Sequence, residues 1–317
     1  MADPAVAAAG DRAEAAQAGE AERALIGGPR VGLLGWQKAT RWAPLAPFGL
    51  WMGLFLGAPL AAVCVGAFQR SGSGRFTLAN IGAATSGTYL LGFENSLKLS
   101  LIEAVFPAIF GALVAYAVHT SRGAVLRRVV VTTSGVFSQF GGVPLAFLFI
   151  AAIGSQTALA SNWLRDIGVH LYGNGVTIYN FWGVAIVYLY FQVPLMVLVI
   201  LPAFEGLRSS WREAAGSLGA APWQYWRYVG VPVLMPSLLG SALLLFGFSL
   251  SAYATAQALT SGTIALTSVQ IGTFLNGNVL AGQQNVGKAL ALGLVVVIAL
   301  TMGLYVLLQK RASRWLQ

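Results

Sequence analysis

The chain has one cysteine and two histidines among its 317 residues, and only 9% of those residues are charged. The lone cysteine, Cys64, lies inside an apolar run, which leaves no disulfide framework and no cysteine metal site to consider. Asp166 and His170 are spaced as one turn of helix would pair them, but no third ligand stands near them and a metal site needs more. That pair reads as part of a solvated outer helix. No nucleophile, base and orienting group converge in the sequence, so nothing here carries catalysis, and no cofactor is expected. Between Tyr228 and Gly287 there is no Asp, Glu, Lys, Arg or His at all. A soluble chain carries about 25% charged residues. This one is 57% hydrophobic with a mean hydropathy of +0.72, the composition of a membrane protein.

A nucleotide-binding loop is also missing. Gly282-Gln283-Gln284-Asn285-Val286-Gly287-Lys288-Ala289 has the glycine and lysine spacing of one, but Ala289 replaces the required Ser or Thr and no buried strand precedes it. ATP hydrolysis is therefore not expected on this chain.

What is present is a series of long apolar runs. A membrane-spanning helix needs roughly 20 mostly apolar residues, and the runs at 44–68, 95–118, 129–153, 178–203, 231–256 and 289–308 each qualify. They predict an all-α polytopic fold with six transmembrane helices over residues 41–317 and no sizeable soluble domain. Residues 1–40, rich in Ala and Gly with acids mixed among the basic groups, suit neither a cleaved signal peptide nor a transit peptide. They are expected to form a disordered inner tail.

The formal charge of +9 invites a nucleic-acid reading, but the distribution of the charge argues for a membrane instead. With both termini inside, the inner side holds Arg12, Arg23, Arg30, Lys38 and Arg41 in the tail and Arg122, Arg127 and Arg128 in the first loop. It also holds Arg208, Arg212 and Arg227 in the second loop and Lys310, Arg311 and Arg314 at the end. The outer side holds only Arg70, Arg75, Arg165 and Lys288, with Lys98 just inside a span. This positive-inside bias orients the chain. In intact cells, single cysteines introduced at Ser73 and Gly262 should react with an impermeant reagent and one at Ser217 should not. Labelling of Ser217 from outside would reverse the topology.

The stretch around which the rest is organised is Glu213-Ala214-Ala215-Gly216-Ser217-Leu218-Gly219, followed by Ala220 to Tyr228 and Val229-Gly230-Val231-Pro232. Wedged between two spans and carrying charge, this segment of about 205–230 belongs in water. Ser209 or Ser210 can cap a helix beginning near Trp211, which puts Glu213 in the first turn, where a carboxylate meets the positive end of the helix dipole. The Ala and Gly residues leave the helix thinly clad, open to close approach by another surface. Pro222 favours a new first turn, and Trp223, Tyr225, Trp226 and Tyr228 supply aromatic anchors.

The spacing Glu-Ala-Ala, three residues, Gly, nine residues, Val-x-Val-Pro resembles the EAA loop of the permease subunits of binding-protein-dependent ABC importers. That family's pattern ends in Ile-x-Leu-Pro, so Val229 and Val231 are conservative departures. Asn95-Ser96-Leu97 and Ala115-Tyr116 are similar to the ends of the family's first core helix. The resemblance covers roughly residues 90–310. It implies the type I importer permease fold, a prokaryotic inner-membrane location, and assembly with a second permease, two cytoplasmic ATPases and an extracytoplasmic solute-binding protein. It makes Glu213, Ala214, Ala215 and Gly219 the ATPase-coupling residues, with Pro232 setting the exit angle. Phe191-Gln192-Val193-Pro194 and Phe76-Thr77-Leu78 look most like the branch serving polyamines, aminoethylphosphonate and ferric iron.

Polar groups inside the apolar runs mark candidate pathway positions: Glu103, Gln139 and Gln192. A charge at depth costs upward of roughly 2.5 kcal/mol, so Glu103 must face protein or water. It is either held by a neighbouring helix or lines the path and attracts a cationic solute. Ser138, Gln139, Gly141, Gly142 and Pro144 interrupt the third run, either as a kink lining a pathway or as a close helix contact. The uncharged residues after Thr260 are expected as an outer segment with a short surface helix, where a binding protein docks. An ion-driven secondary transporter is the rival reading. It would need several intramembrane acids and internal repeats, and only Glu103 is present. For an intramembrane protease, Ser, His and Asp do not converge in paired spans.

Overall fold

The computed structural model describes residues 45–121, 123–155, 158–167, 177–277 and 283–313. The expected tail 1–40, Arg122, His170, Gly282 and Arg314 lie outside them. By backbone contacts the chain forms two units, 1–61 and 62–317, the described part of the first being helical. The described residues are overwhelmingly helical, with one isolated bridge between Gln69 and Phe76.

The helices are α1 (Ala46–Ala67), α2 (Ala79–Ala84), α3 (Gly87–Thr120), α4 (Ala124–Gln139), α5 (Val143–Ile153) and α6 (Leu159–Asp166). They continue with α7 (Phe181–Glu205), α8 (Ser209–Ser217), α9 (Pro222–Ser251), α10 (Ala254–Thr260), α11 (Thr267–Leu275) and α12 (Gln284–Ser313). Five of them, α1, α3, α7, α9 and the part of α12 to Leu307, are long and apolar enough to cross a membrane. Counting the broken pair α4 and α5 as one span gives six.

Within the 62–317 unit α3 is the spine, packed along both α7 and α9. Its 34 residues would extend for about 51 Å, well beyond a hydrocarbon core of about 30 Å. The helix therefore starts earlier than the apolar run does: the stretch from Thr77 to Phe93 contributes α2 and the first turns of α3. Contact between α3 and α7 is close because Gly111 has no side chain. A Cβ there would stand 2.6 Å from Met196 Cβ. Ala108, Ala115, Val118, Met196, Ile200 and Leu245 fill the core on the side of the Thr120 end. A second cluster around Leu99, Leu145, Val187, Tyr188, Leu259 and Val269 fills the other half.

Polar side chains tie helix ends together. Asn180 caps α7 by accepting from Gly183 N at 2.8 Å. Asn80 Nδ2 donates to the carbonyls of Ala67 and Gln69, and Asn285 Nδ2 donates to Gln69 O at 2.7 Å. The last carbonyl of α1 and that of Gln69 just beyond it thus find donors on α2 and α12.

Three expectations need correction. The third run is broken and not merely kinked, since α4 and α5 meet at 100°. Gly142, at φ +77°, makes the reversal possible, and Thr255 on α10 holds it by accepting from Gly142 N at 2.9 Å and donating to Gly142 O at 3.2 Å. The fifth run does not continue as one helix to Ala256 either; α9 stops at Ser251. The uncharged segment beyond it does not lie loosely on a surface. Helix α10 packs on α5 and α11 packs on α3 and α12, burying Thr255, Ala256, Leu259 and Val269. Asn95 Nδ2 donates to Ala265 O at 3.0 Å and Ser96 Oγ accepts from Thr267 N at 2.8 Å. Two residues that first drew notice as the start of a span therefore pin this segment down.

Candidate functional site

Between α7 and α9 the chain leaves the bundle as an elbow. Arg208, with φ −72° and ψ 130°, is the N-cap of α8, and both Ser209 and Ser210 are already helical. Neither serine acts as the expected cap, because an N-cap residue needs extended backbone. Starting two residues early puts Glu213 in the second turn, so the dipole contact expected of it is weakened. Glu213 and Ala214 are exposed and Ala215 half-buried.

Gly219 ends α8. Its φ is +76°, its N–H donates to Gly216 O and the next N–H, from Ala220, donates to Ala215 O, each at 2.9 Å. This is the paired reverse bonding that closes a helix on a left-handed residue. Nothing lies within 4 Å of where a Cβ would stand, so the glycine is required by its backbone angle and not by crowding inside this chain. Pro222 then opens α9 at a first-turn position, where its missing N–H is not needed. Gln224 Oε1 accepts from Ala221 N at 2.7 Å and secures that turn.

Four residues on, α9 passes through a π turn, Trp226–Gly230, in which Val231 N–H bonds to Trp226 O. Pro232 follows two residues later. Having no N–H, it leaves Tyr228 O without its usual helical partner, and the wider turn accommodates the gap. The chain thus leaves the elbow through the π turn and Pro232 together.

The elbow is fixed to the end of α3 by rings. Trp226 meets Tyr116 edge to face at 5.2 Å and buried Tyr225 edge-on at 5.7 Å. Arg127 at the start of α4 pairs with Glu205 at the end of α7. Both partners are largely exposed, so this pair contributes little to stability. A cavity of about 410 Å³ lies beneath the elbow, lined by Tyr116, His119, Arg208, Arg212, Glu213 and Trp226 among others. Meanwhile Leu218, Trp223 and Tyr228 are strongly exposed, Leu218 at 88%. Large apolar groups held outward on a polar loop are what a covering surface would bury.

The second candidate set lies at depth. Glu103 on α3 and Gln192 on α7 are each 0% exposed, and Gln192 Nε2 donates to Glu103 Oε2 at 3.2 Å. Their other oxygens, Glu103 Oε1 and Gln192 Oε1, are buried without a hydrogen-bond partner. In this conformation the two expected pathway residues close on each other between helices. Gln139 stands apart from them, exposed at the break between α4 and α5. Lys98 pairs with Glu94 at 3.5 Å on the surface of α3, not with Glu103. Sequence reasoning singled out Glu103 and Gln192 separately; what it lacked was any signal that they meet.

The apparent nucleotide loop dissolves in the structure, since residues 284–289 are the first turns of α12.

A family model described as "Binding-protein-dependent transport system inner membrane component" matches residues 108–314. The sulfate transport system permease protein CysT of Escherichia coli is 25% identical over 172 residues, 53% of this chain and 58% of that one. The thiamine transport system permease protein ThiP of Salmonella typhimurium is 26% identical over 291 residues, 87% of this chain and 49% of that one. Against these two relatives the chain spans about half of their length. Among solved structures, a bacterial alginate ABC transporter in complex with an alginate pentasaccharide-bound periplasmic protein matches with a TM-score of 0.71. The match has 18% identity and covers 89% of this chain and 98% of that one.

Proposed function

Since the chain belongs to the family of binding-protein-dependent transport system inner membrane components, and is an all-α multi-pass membrane protein with the type I ABC importer permease fold, we propose that it forms the pathway of an ABC importer. The observation that carries this reading is the elbow, a short exposed helix with outward apolar groups, delivered from α7 to α9 and closed by Gly219. It fits a socket on a cytoplasmic ATPase. The reading assigns Glu213, Ala214 and Ala215 to the contact, Gly219 to its geometry, and Pro232 to the connection with the span.

The expected partners are two such ATPases, a second permease, membrane lipid and an extracytoplasmic binding protein. Both termini and the elbow face the cytoplasm in this reading. ATP closure of the ATPases would bias a two-state bundle through the elbow, because the nucleotide favours one of the two states. Glu103, Gln192 and Gln139 are assigned to the pathway, the first two opening to it when α3 and α7 move apart. The solute is a small charged one. CysT and ThiP carry sulfate and thiamine in their names, and the polyamine-type alternative rests on local sequence likeness and on Glu103 alone.

Affinity capture of the tagged full-length chain from its own membrane should bring down an ATP-binding cassette ATPase in comparable amount, and Glu213→Ala should weaken that recovery. A chain that drives uptake in vesicles with no ATPase present would overturn the reading in favour of the ion-driven carrier.

A further inference from the structure

The cavity beneath the elbow does not end there. Tyr116 and Trp226, which form one wall, also line a second hollow of about 490 Å³ that runs down the bundle between α3, α7 and α9. Apart from those two residues, its lining is wholly apolar, including Ala108, Ala112, Ile200, Phe204, Leu234 and Leu238. Along α3, Ala108 lies about 12 Å from Tyr116, most of the depth of one leaflet of a core about 30 Å thick.

The upper chamber is different in chemistry. It presents His119, Arg208 and Arg212 against a single acid, Glu213. Arg208 is also held near the Trp211 ring, at 5.9 Å, which keeps its guanidinium at the rim. Tyr116 and Trp226 stand where the two chambers join, the place amphipathic rings take at a membrane surface.

A cationic cup opening into an apolar groove one leaflet deep has the polarity of a phospholipid. We propose that this composite site holds one anionic phospholipid, its phosphate at Arg208 and Arg212 and one acyl chain in the groove beside Ala112. Neither chamber alone selects this occupant. A soluble anion would not need the groove, and a neutral lipid would not need the arginines. The lipid would sit against the elbow and two spans at once, in a position to stiffen their connection. Assignment to the inner leaflet rests on the proposed orientation, whereas the binding itself does not.

The complex captured through this chain, reconstituted in nanodiscs of phosphatidylcholine with phosphatidylglycerol, should release with phosphatidylglycerol enriched over the bulk ratio when examined by native mass spectrometry. Arg208→Gln removes a headgroup contact from an exposed position and should lower that enrichment roughly fivefold, the factor matching about 1 kcal/mol per basic residue near a membrane surface. Ala112→Phe fills the groove and should abolish the enrichment while the complex still assembles. Inorganic phosphate should not displace the lipid. No enrichment in the wild type would overturn the proposal, as would retention unchanged in both variants; the first result would mean that the second permease seals the groove. Displacement by inorganic phosphate would also overturn it, by reducing the site to an anion cup.

Discussion

Replacing Gly219 by valine should lower solute uptake at least roughly tenfold while the amount of chain in the membrane stays within about twofold of wild type. The glycine holds φ at +76°, a region that costs an L-residue roughly 1–2 kcal/mol and a β-branched one more. Valine would be relieved of that strain by unwinding the end of α8, which gives up the reverse bonds from Gly219 and Ala220. The bundle would not feel the change, because nothing among the described residues packs against the site. What changes is the direction in which α8 is presented. Gly219→Asn tests the cause, since asparagine tolerates left-handed backbone. Uptake kept by Asn and lost by Val identifies the backbone angle. Equal loss in both, and in Gly219→Trp, would instead identify close approach by the ATPase. Normal uptake in all three would remove the elbow from coupling.

The second large effect is expected at the buried pair. Gln192→Leu leaves the Glu103 carboxyl with no hydrogen-bond partner among the described residues and should destabilise the chain by about 2–5 kcal/mol. Glu103→Leu leaves only a neutral amide unpaired, a cost of about 1–3 kcal/mol. Replacing both removes the unmet polar groups together, so the double variant should be more stable than Gln192→Leu alone. Thermal unfolding of the detergent-solubilised complex reads this order. Additive losses would mean that the two side chains are not coupled. Glu103→Gln separates packing from transport, because it keeps shape and hydrogen bonding and drops the acid. Slower uptake of a cationic solute, with binding-protein affinity unchanged, assigns Glu103 to the path. Unaltered uptake leaves it a helix clamp.

Local chemistry made the elbow legible. Pro222 starts a helix because a proline can do little else after a small-residue loop, and Gly219 ends one for a comparable reason. Ser209 and Ser210 misled because a cap is defined by backbone angle, and Arg208 took the extended conformation instead. The break at Gly142 was visible only as an interruption, since its sharpness depends on Thr255, 113 residues away. Glu103 and Gln192 are 89 residues apart, and each reads alone as a polar residue in an apolar run. Long-range pairing of this kind leaves no mark on periodicity. The burial of α10 and α11 was hidden for a related reason: a stretch without charge looks much the same whether it rests on a surface or packs inside.

The π turn at Trp226–Gly230 sets a phase. Each residue of an α-helix advances the chain by about 100°, so one residue more in a single turn shifts by that much the faces on which the residues before it stand, counted against those after it. Helix α9 is therefore keyed twice, its first turn to the elbow and Tyr116, its remainder to α3 and α7. The offset between the two keys is fixed by how many residues lie between them. Deleting one residue there would close the wide turn to a regular one, keeping the elbow near its present bearing but removing the room that the turn gives to Pro232.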